Sequence, residues 1–163
     1  MEEAEMAGIK TNAMRLLDQK KIAYKMHTYD NKNGKIDGVS VAGKINKDPK
    51  EVYKTLVAQG SSKGLYVFII EVEAELDLKK AAKAAGEKKV EMLPVKDIQK
   101  HTGYIRGGCS PLGMKKQYPT FIAQQAEELD TMVVSAGKIG LQIELAPSDL
   151  QKAVAAQFVD IEK

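Results

Sequence analysis

One cysteine, Cys109, and two histidines, His27 and His101, are the only thiol and imidazole groups in this chain of 163 residues. A lone cysteine excludes an internal disulfide and fits a reducing compartment, so a cytoplasmic location is expected. Three such residues without ligand spacing give no metal site, and none is expected. Long apolar runs are also missing. The best, Leu65 to Ile70, is strand-sized, so no membrane span is expected. The acidic opening, Met1 to Met6, has no basic segment followed by an apolar one, which argues against a signal peptide. There is no Gly-x-Ser-x-Gly elbow and no phosphate loop, and no cofactor is expected. A large excess of either charge is missing too: 25 Lys and Arg against 22 Asp and Glu leave a net charge of only +3. That permits a nucleic acid partner without demanding one.

What is present is a chain with 44% apolar and 29% charged residues, a globular balance for one domain. Residues 1–9 read as a flexible N-terminal extension, and residues 10–163 as the domain. The densest local signal runs from Thr102 to Gly113. This stretch holds four of the thirteen glycines, Pro111 and the only cysteine. Glycines allow a ligand to approach the main chain, and consecutive N–H groups can form a concave nest for negative oxygen. A connection with two tight turns is the plainer alternative.

In chain order, Thr11 or Asn12 caps a helix carrying Ala13, Met14, Leu16 and Leu17, with Lys20 and Lys21 in its last turn. Ile22 to Tyr29 alternates as a half-buried strand. Asn33-Gly34 forms a turn, and Ser40 caps a short helix, Val41 to Ile45. Asp48-Pro49-Lys50-Glu51 has the form of a helix start with a capping box, leading into Val52 to Val57. Leu65 to Val72 is a buried strand. Helices follow at Leu76 to Ala85 and Pro94 to His101, with a short strand, Val90 to Leu93, between them. Strands at Phe121 to Ala123, Thr131 to Ser135 and Leu141 to Leu145 come next, the last two joined by a hairpin turn at Ala136 to Gly140. Leu150 to Ala156 is a final helix and Phe158 to Ile161 a final strand. The pattern predicts a single α+β domain: a curved, mixed and mostly antiparallel sheet flanked by helices.

Few residues stand out for chemistry. Cys109 is a candidate nucleophile if main-chain amides lower its pKa, although a plain loop position is the simpler reading. His27 suits a hydrogen-bonded structural role within a strand, and His101 a contact with a helix C-terminus. Lys54 lies among apolar residues. There it either supplies a fixed positive charge to an oxygen or snorkels to the surface.

Several segments together resemble the YbaK/ProX-type aminoacyl-tRNA deacylases, relatives of the editing domain of bacterial prolyl-tRNA synthetases. They include Val52-Tyr-Lys-Thr-Leu56, Lys89-Val-Glu-Met92, Thr102 to Gly113, Val134-Ser-Ala-Gly-Lys138 and Ile143-Glu-Leu-Ala-Pro147. The resemblance runs from Lys10 to Ile161 and is nearest the YbaK branch. It implies that fold and hydrolysis of Cys-tRNA(Pro), and also Cys-tRNA(Cys), in trans beside prolyl-tRNA synthetase. It makes Lys54 the essential lysine and Gly107, Gly108, Cys109, Ser110 and Pro111 the substrate-cradling loop. Tyr29, Thr55, Ser135 and Gly137 fall on pocket-lining positions. It further implies that the substrate's own thiol attacks the ester, so Cys109 is not the nucleophile. The segment Ile36 to Ser40 departs from the family by carrying Asp37 and Val39, which leaves the pocket mouth and the amino-acid preference open. A deacylase for another misacylated tRNA, such as Ala-tRNA(Pro), and a non-catalytic tRNA or synthetase-binding module are the alternatives.

Overall fold

A computed structural model describes residues 10–30, 34 and 37–163. The expected extension, residues 1–9, lies outside the described residues, as does Asn33 of the expected turn. The elements are α1 (Asn12–Gln19), β1 (Lys25–Thr28), α2 (Gly38–Lys44), β2 (Tyr53–Gly60), β3 (Leu65–Glu71), α3 (Leu78–Ala85) and β4 (Val90–Met92). They continue with α4 (Val95–Thr102), β5 (Thr120–Ala123), β6 (Met132–Ser135), β7 (Leu141–Leu145), α5 (Pro147–Val154) and β8 (Gln157–Val159).

The strands form two sheets. A three-stranded antiparallel sheet has the order β1-β7-β6, and a five-stranded mixed sheet the order β4-β2-β3-β5-β8. A single parallel bridge, Val52 to Val133, ties one to the other. The α+β class and the mixed pairing are as the sequence predicts, but the expected single curved sheet is two. In the large sheet β2 and β3 pair antiparallel from Tyr53 opposite Glu71 to Gln59 opposite Leu65. The β3–β5 and β5–β8 pairs are parallel. The chain between β3 and β5 therefore makes a long crossover, and the glycine loop is part of it.

The core lies between these sheets and the helices. Phe68, Ile69, Ile70, Ile122, Met132, Ile143 and Leu150 are fully enclosed, and the rings of Phe68 and Phe121 stack with centroids 5.4 Å apart. A smaller cluster, Ala42, Ile45, Val52, Val72 and Val133, gathers near the bridge, with Tyr29 against it. Fully burying one such aliphatic side chain contributes roughly 1.5–3 kcal/mol.

Three local expectations are corrected. The Asp48-Pro49 start makes only one 3₁₀ turn, Pro49–Glu51, with the Asp48 side chain accepting from Lys50 N. From Tyr53 the chain is strand and not helix. Aromatic and β-branched residues at Tyr53, Thr55 and Val57 suit a pleated surface, and seven paired residues with β3 outweigh one cap. The short helix after the polar loop begins at Gly38, capped by Asp37 and not Ser40. The Asp37 carboxylate accepts from Ser40 N at 3.1 Å and Ser40 Oγ at 2.8 Å. Lys20 and Lys21 lie just past the end of α1 rather than in its last turn.

Candidate functional site

The site forms where β2 loses its second neighbour. On one edge β2 is paired along its length with β3. On the other edge β4 pairs only with Ala58 to Gly60, and Leu93 N donates to Val57 O. The bridge to Val133 covers the strand's beginning. Main-chain groups of alternate residues point to opposite edges of a strand. Val52 O accepts from Val72 N of the β3 segment, and Val57 O faces Leu93, so the N–H and C=O of Thr55 face the gap between β6 and Leu93. Among the described residues no strand pairs with β2 there.

A cavity of ≈ 110 Å³ sits at this gap, lined by Lys54, Thr55, Gly107, Cys109, Ser135 and Gln142, with Gly38, Val41, Val52, Tyr53 and Val72 behind them. Five elements supply most of it. Strand β2 brings Lys54 and Thr55. The glycine loop brings Gly107 and Cys109. Strands β6 and β7 bring the cross-strand pair Ser135 and Gln142. The start of α2 brings Gly38 and Val41. Lys54 is half-buried, and its side chain has neither hydrogen bond nor ion pair among the described residues. Thr55 Oγ1 is buried there without a hydrogen-bond partner among the described residues. An unsatisfied buried hydroxyl costs about 1–3 kcal/mol, so such groups are rare and concentrate where a ligand supplies the partner.

The glycine loop is held from both ends. Tyr104 OH donates to Leu112 O at 2.6 Å, and Thr102 Oγ1 accepts from Tyr104 N at 3.0 Å. Gly107 adopts φ +86°, a conformation that favours glycine. A Cβ on Gly108 would lie 3.0 Å from Ile139 N and 3.2 Å from Lys138 Cα, so the loop rests directly on the β6–β7 turn. Gly108 N donates to Ile105 O, and Leu112 N to Ser110 Oγ. The N–H groups of Gly107 and Cys109 have no partner among the described residues. Of the expected cradle, then, Gly107 and Cys109 line the cavity, whereas Gly108, Ser110 and Pro111 are buried and shape the loop from behind.

The other expected residues divide similarly. Ser135 lines the cavity, and its Oγ accepts from Gly137 N at 3.1 Å, which fixes the turn. Gly137 itself, at φ +99°, packs against the Tyr104 ring and does not line the cavity. Tyr29 lies against the small apolar cluster behind the site, its hydroxyl buried and unpartnered among the described residues. Gln142 was missed. In sequence it looks like the polar position of an alternating strand. It is 94% buried because β7 is the middle strand of its sheet and that residue faces the cavity.

The electrostatics correct one expectation. Burial pushes the Cys109 thiol up to about 11, against a weaker opposing hydrogen bond with Thr102. Main-chain amides do not depress it, and the thiol is protonated at neutral pH, so Cys109 is a poor nucleophile. His27 is structural, as expected. Its Nε2 lies 2.7 Å from Glu144 Oε1, and Glu144 Oε2 accepts from Lys47 Nζ at 3.0 Å and Thr131 Oγ1 at 2.5 Å. No cluster of metal-binding side chains occurs among the described residues, and none of their helices is long and apolar enough to cross a membrane.

Comparisons with known proteins agree with this architecture. A protein of Enterococcus faecalis, EbsC, named as a Cys-tRNA(Pro)/Cys-tRNA(Cys) deacylase, is 48% identical over 152 residues, 93% of each chain. A solved structure described as a trans-editing enzyme for prolyl-tRNA synthetase is similar with TM-score 0.81 at 19% identity, over 95% of this chain and 99% of that one. A hypothetical protein of solved structure is similar with TM-score 0.86 at 16% identity, over 94% and 100% of the two chains. At those identities the two structures speak for the fold alone. The aminoacyl-tRNA editing domain model matches residues 37–153, a span holding every residue that lines the cavity, and with it the chain belongs to the aminoacyl-tRNA editing domain family.

Proposed function

We propose that this protein hydrolyses cysteinyl esters on tRNA, Cys-tRNA(Pro) first and Cys-tRNA(Cys) as well, acting in trans beside prolyl-tRNA synthetase. The observation that carries the reading is the cavity at the open edge of β2: small, and lined by a lysine side chain, a threonine hydroxyl and two main-chain N–H groups that have no partner among the described residues. The relative named for this activity, with nearly half its residues identical across almost the whole chain, supports the amino acid and the tRNA.

The chemistry asks little of the protein. The aminoacyl ester is already activated. The substrate's thiol sulfur attacks its own ester carbonyl, the bond from that carbon to the ribose oxygen breaks, and the thiol proton ends on the departing oxygen. Cysteine leaves as a cyclic thiolactone, which water opens to free cysteine. Lys54 holds the aminoacyl end through its oxygens, and the Gly107 and Cys109 N–H groups receive the charge that develops on the carbonyl oxygen. Holding thiol and carbonyl in a reactive pose removes several kcal/mol of barrier, and one oxyanion donor is typically worth ~10²–10³ in rate. Selection follows the same logic. A cavity of ≈ 110 Å³ admits small side chains and excludes bulky ones. Among small side chains only a thiol performs the attack, which discriminates where a difference of one atom in size does not.

A substrate panel tests this. Cys-tRNA(Pro) is expected to be deacylated at least about 10²-fold faster than Ser-tRNA(Pro) or Ala-tRNA(Pro). Equal rates on cysteine and serine esters would point to direct attack by water. Preference for alanine would assign the protein to another misacylated tRNA.

A further inference from the structure

A second cavity of ≈ 280 Å³ adjoins the first and shares Thr55, Gly107 and Cys109 with it. Its walls are apolar: Leu56 from β2, Leu93 after β4, and Val95 and Ile98 from α4. No acidic residue lines it. Val95 is 54% exposed and Met92, at the rim, 44% exposed, although both are large apolar side chains. Apolar surface left open beside a polar site is characteristic of a binding face. Arg106 lines the same groove, is exposed, and makes no ion pair among the described residues.

We propose that this groove holds the 3′-terminal nucleoside of the substrate, its base against Leu56, Val95 and Ile98 and its phosphate toward Arg106. The assignment rests on the aminoacyl-tRNA reading above. An aminoacyl ester on a terminal ribose carries its acyl group and its base on opposite sides of one sugar. Two cavities joined at Thr55, Gly107 and Cys109 match that arrangement, with the ester at the seam and the acyl group in the smaller one. The flat apolar face of a base buries against aliphatic side chains such as these at roughly 25 cal/mol per Å² removed from water, independent of tRNA identity. A guanidinium pairs with phosphate oxygens through a planar fork of donors. The groove therefore grips the part of the substrate common to all tRNAs. Choice between tRNAs is made elsewhere.

The probe is adenosine 5′-monophosphate, titrated into the whole protein while the methyl resonances are followed by NMR. Saturable shifts are expected at Leu56, Val95 and Ile98, with none at the enclosed Leu150. Val95→Glu, at an exposed position that leaves the core intact, replaces apolar contact with a solvated carboxylate and is expected to weaken this binding at least about tenfold. Arg106→Ala should weaken the monophosphate several-fold and leave adenosine unaffected. With Cys-tRNA(Pro), Val95→Glu should raise KM by a similar factor with little change in kcat. No shifts at these methyls, or shifts centred elsewhere, overturn the assignment. So does an unchanged KM in Val95→Glu while the wild type still deacylates, in which case the deacylase reading stands. Nucleotide binding in the groove without any deacylation would reject the deacylase reading and keep the groove. If Val95→Glu weakens stimulation by added prolyl-tRNA synthetase but not nucleotide binding, the groove is a protein interface and the assignment fails.

Discussion

At the scale of single residues, the account separates two neighbours that sequence alone leaves entangled. Lys54 and Cys109 both line the small cavity, and both belong to chemically reactive types. Burial holds the thiol protonated up to about pH 11, which removes it from nucleophilic chemistry at neutral pH. Cys109→Ser is thus expected to keep deacylation within about threefold of wild type, the size of effect left when no transition-state contact is lost. The pH–rate profiles of the two proteins should superimpose. A variant inactive at all pH values would restore the cysteine as nucleophile. The loop motif was legible as a main-chain binding element because glycines and a proline cluster there. Which of its amides remain free was not, since Gly108 N is consumed by Ile105 O, a contact between residues three apart that depends on the loop's path.

At the scale of elements, β2 shows where local reading fails and why. Asp48 and Pro49 do start a turn, as their chemistry requires, but the turn ends after Glu51. Pairing with β3 and β4 is set by residues outside that window, and Tyr53-Lys54-Thr55-Leu56-Val57 does not alternate cleanly enough to announce a strand. The consequence is functional, because only a strand with an unpaired stretch of edge offers Thr55 to the site. Gln142 was hidden for a related reason: its burial follows from β7 having a neighbour on each side. The contact between the glycine loop and the β6–β7 turn gives an element-scale test. Gly108→Ala places a Cβ 3.0–3.2 Å from backbone atoms of Lys138 and Ile139, none of which can rotate away. The loop must lift by a few tenths of an ångström. A misplacement next to reacting atoms costs up to ~10²-fold in rate, so kcat should fall at least tenfold with the melting temperature little changed. An unaltered kcat would mean that the loop does not position the ester.

The small sheet makes a second element-scale prediction through Glu144. Burial alone would raise this carboxyl. Hydrogen bonds from Thr131, His27 and Lys47 outweigh it and hold the carboxyl down to about 2. Its ordinary value is 4.5, so the folded state is stabilised above that pH, and the contribution is lost as pH falls through about 2. A depression of that size corresponds to an upper figure on the order of 3 kcal/mol. Glu144→Gln should therefore lower stability at neutral pH by on the order of 2–3 kcal/mol and flatten the decline between pH 4.5 and 2 in denaturant titrations. Equal slopes for both proteins would show that Glu144 does not govern acid sensitivity.

At the scale of the whole molecule, the α+β class, most helix positions and the β6–β7 hairpin follow from caps, alternation and turn residues, whereas β2 and the division into two sheets do not. Val52 and Val133 make the only bridge between those sheets among the described residues, and they are 81 positions apart. A net charge of +3 is little with which to hold a tRNA, because each phosphate contact needs its own cation and weakens with salt. In the proposed function the synthetase supplies the missing tRNA contacts. Adding prolyl-tRNA synthetase should lower KM for Cys-tRNA(Pro) several-fold, an effect that fades as salt rises. The central claim is that deacylation takes place where Lys54 meets the open edge of β2. Release of cysteine from Cys-tRNA(Pro) by wild type and Lys54→Ala, under single-turnover conditions, tests it most directly. The account predicts release by the wild type and a loss of at least about 100-fold in the variant, with its fold intact; a loss of only two- or threefold would contradict it.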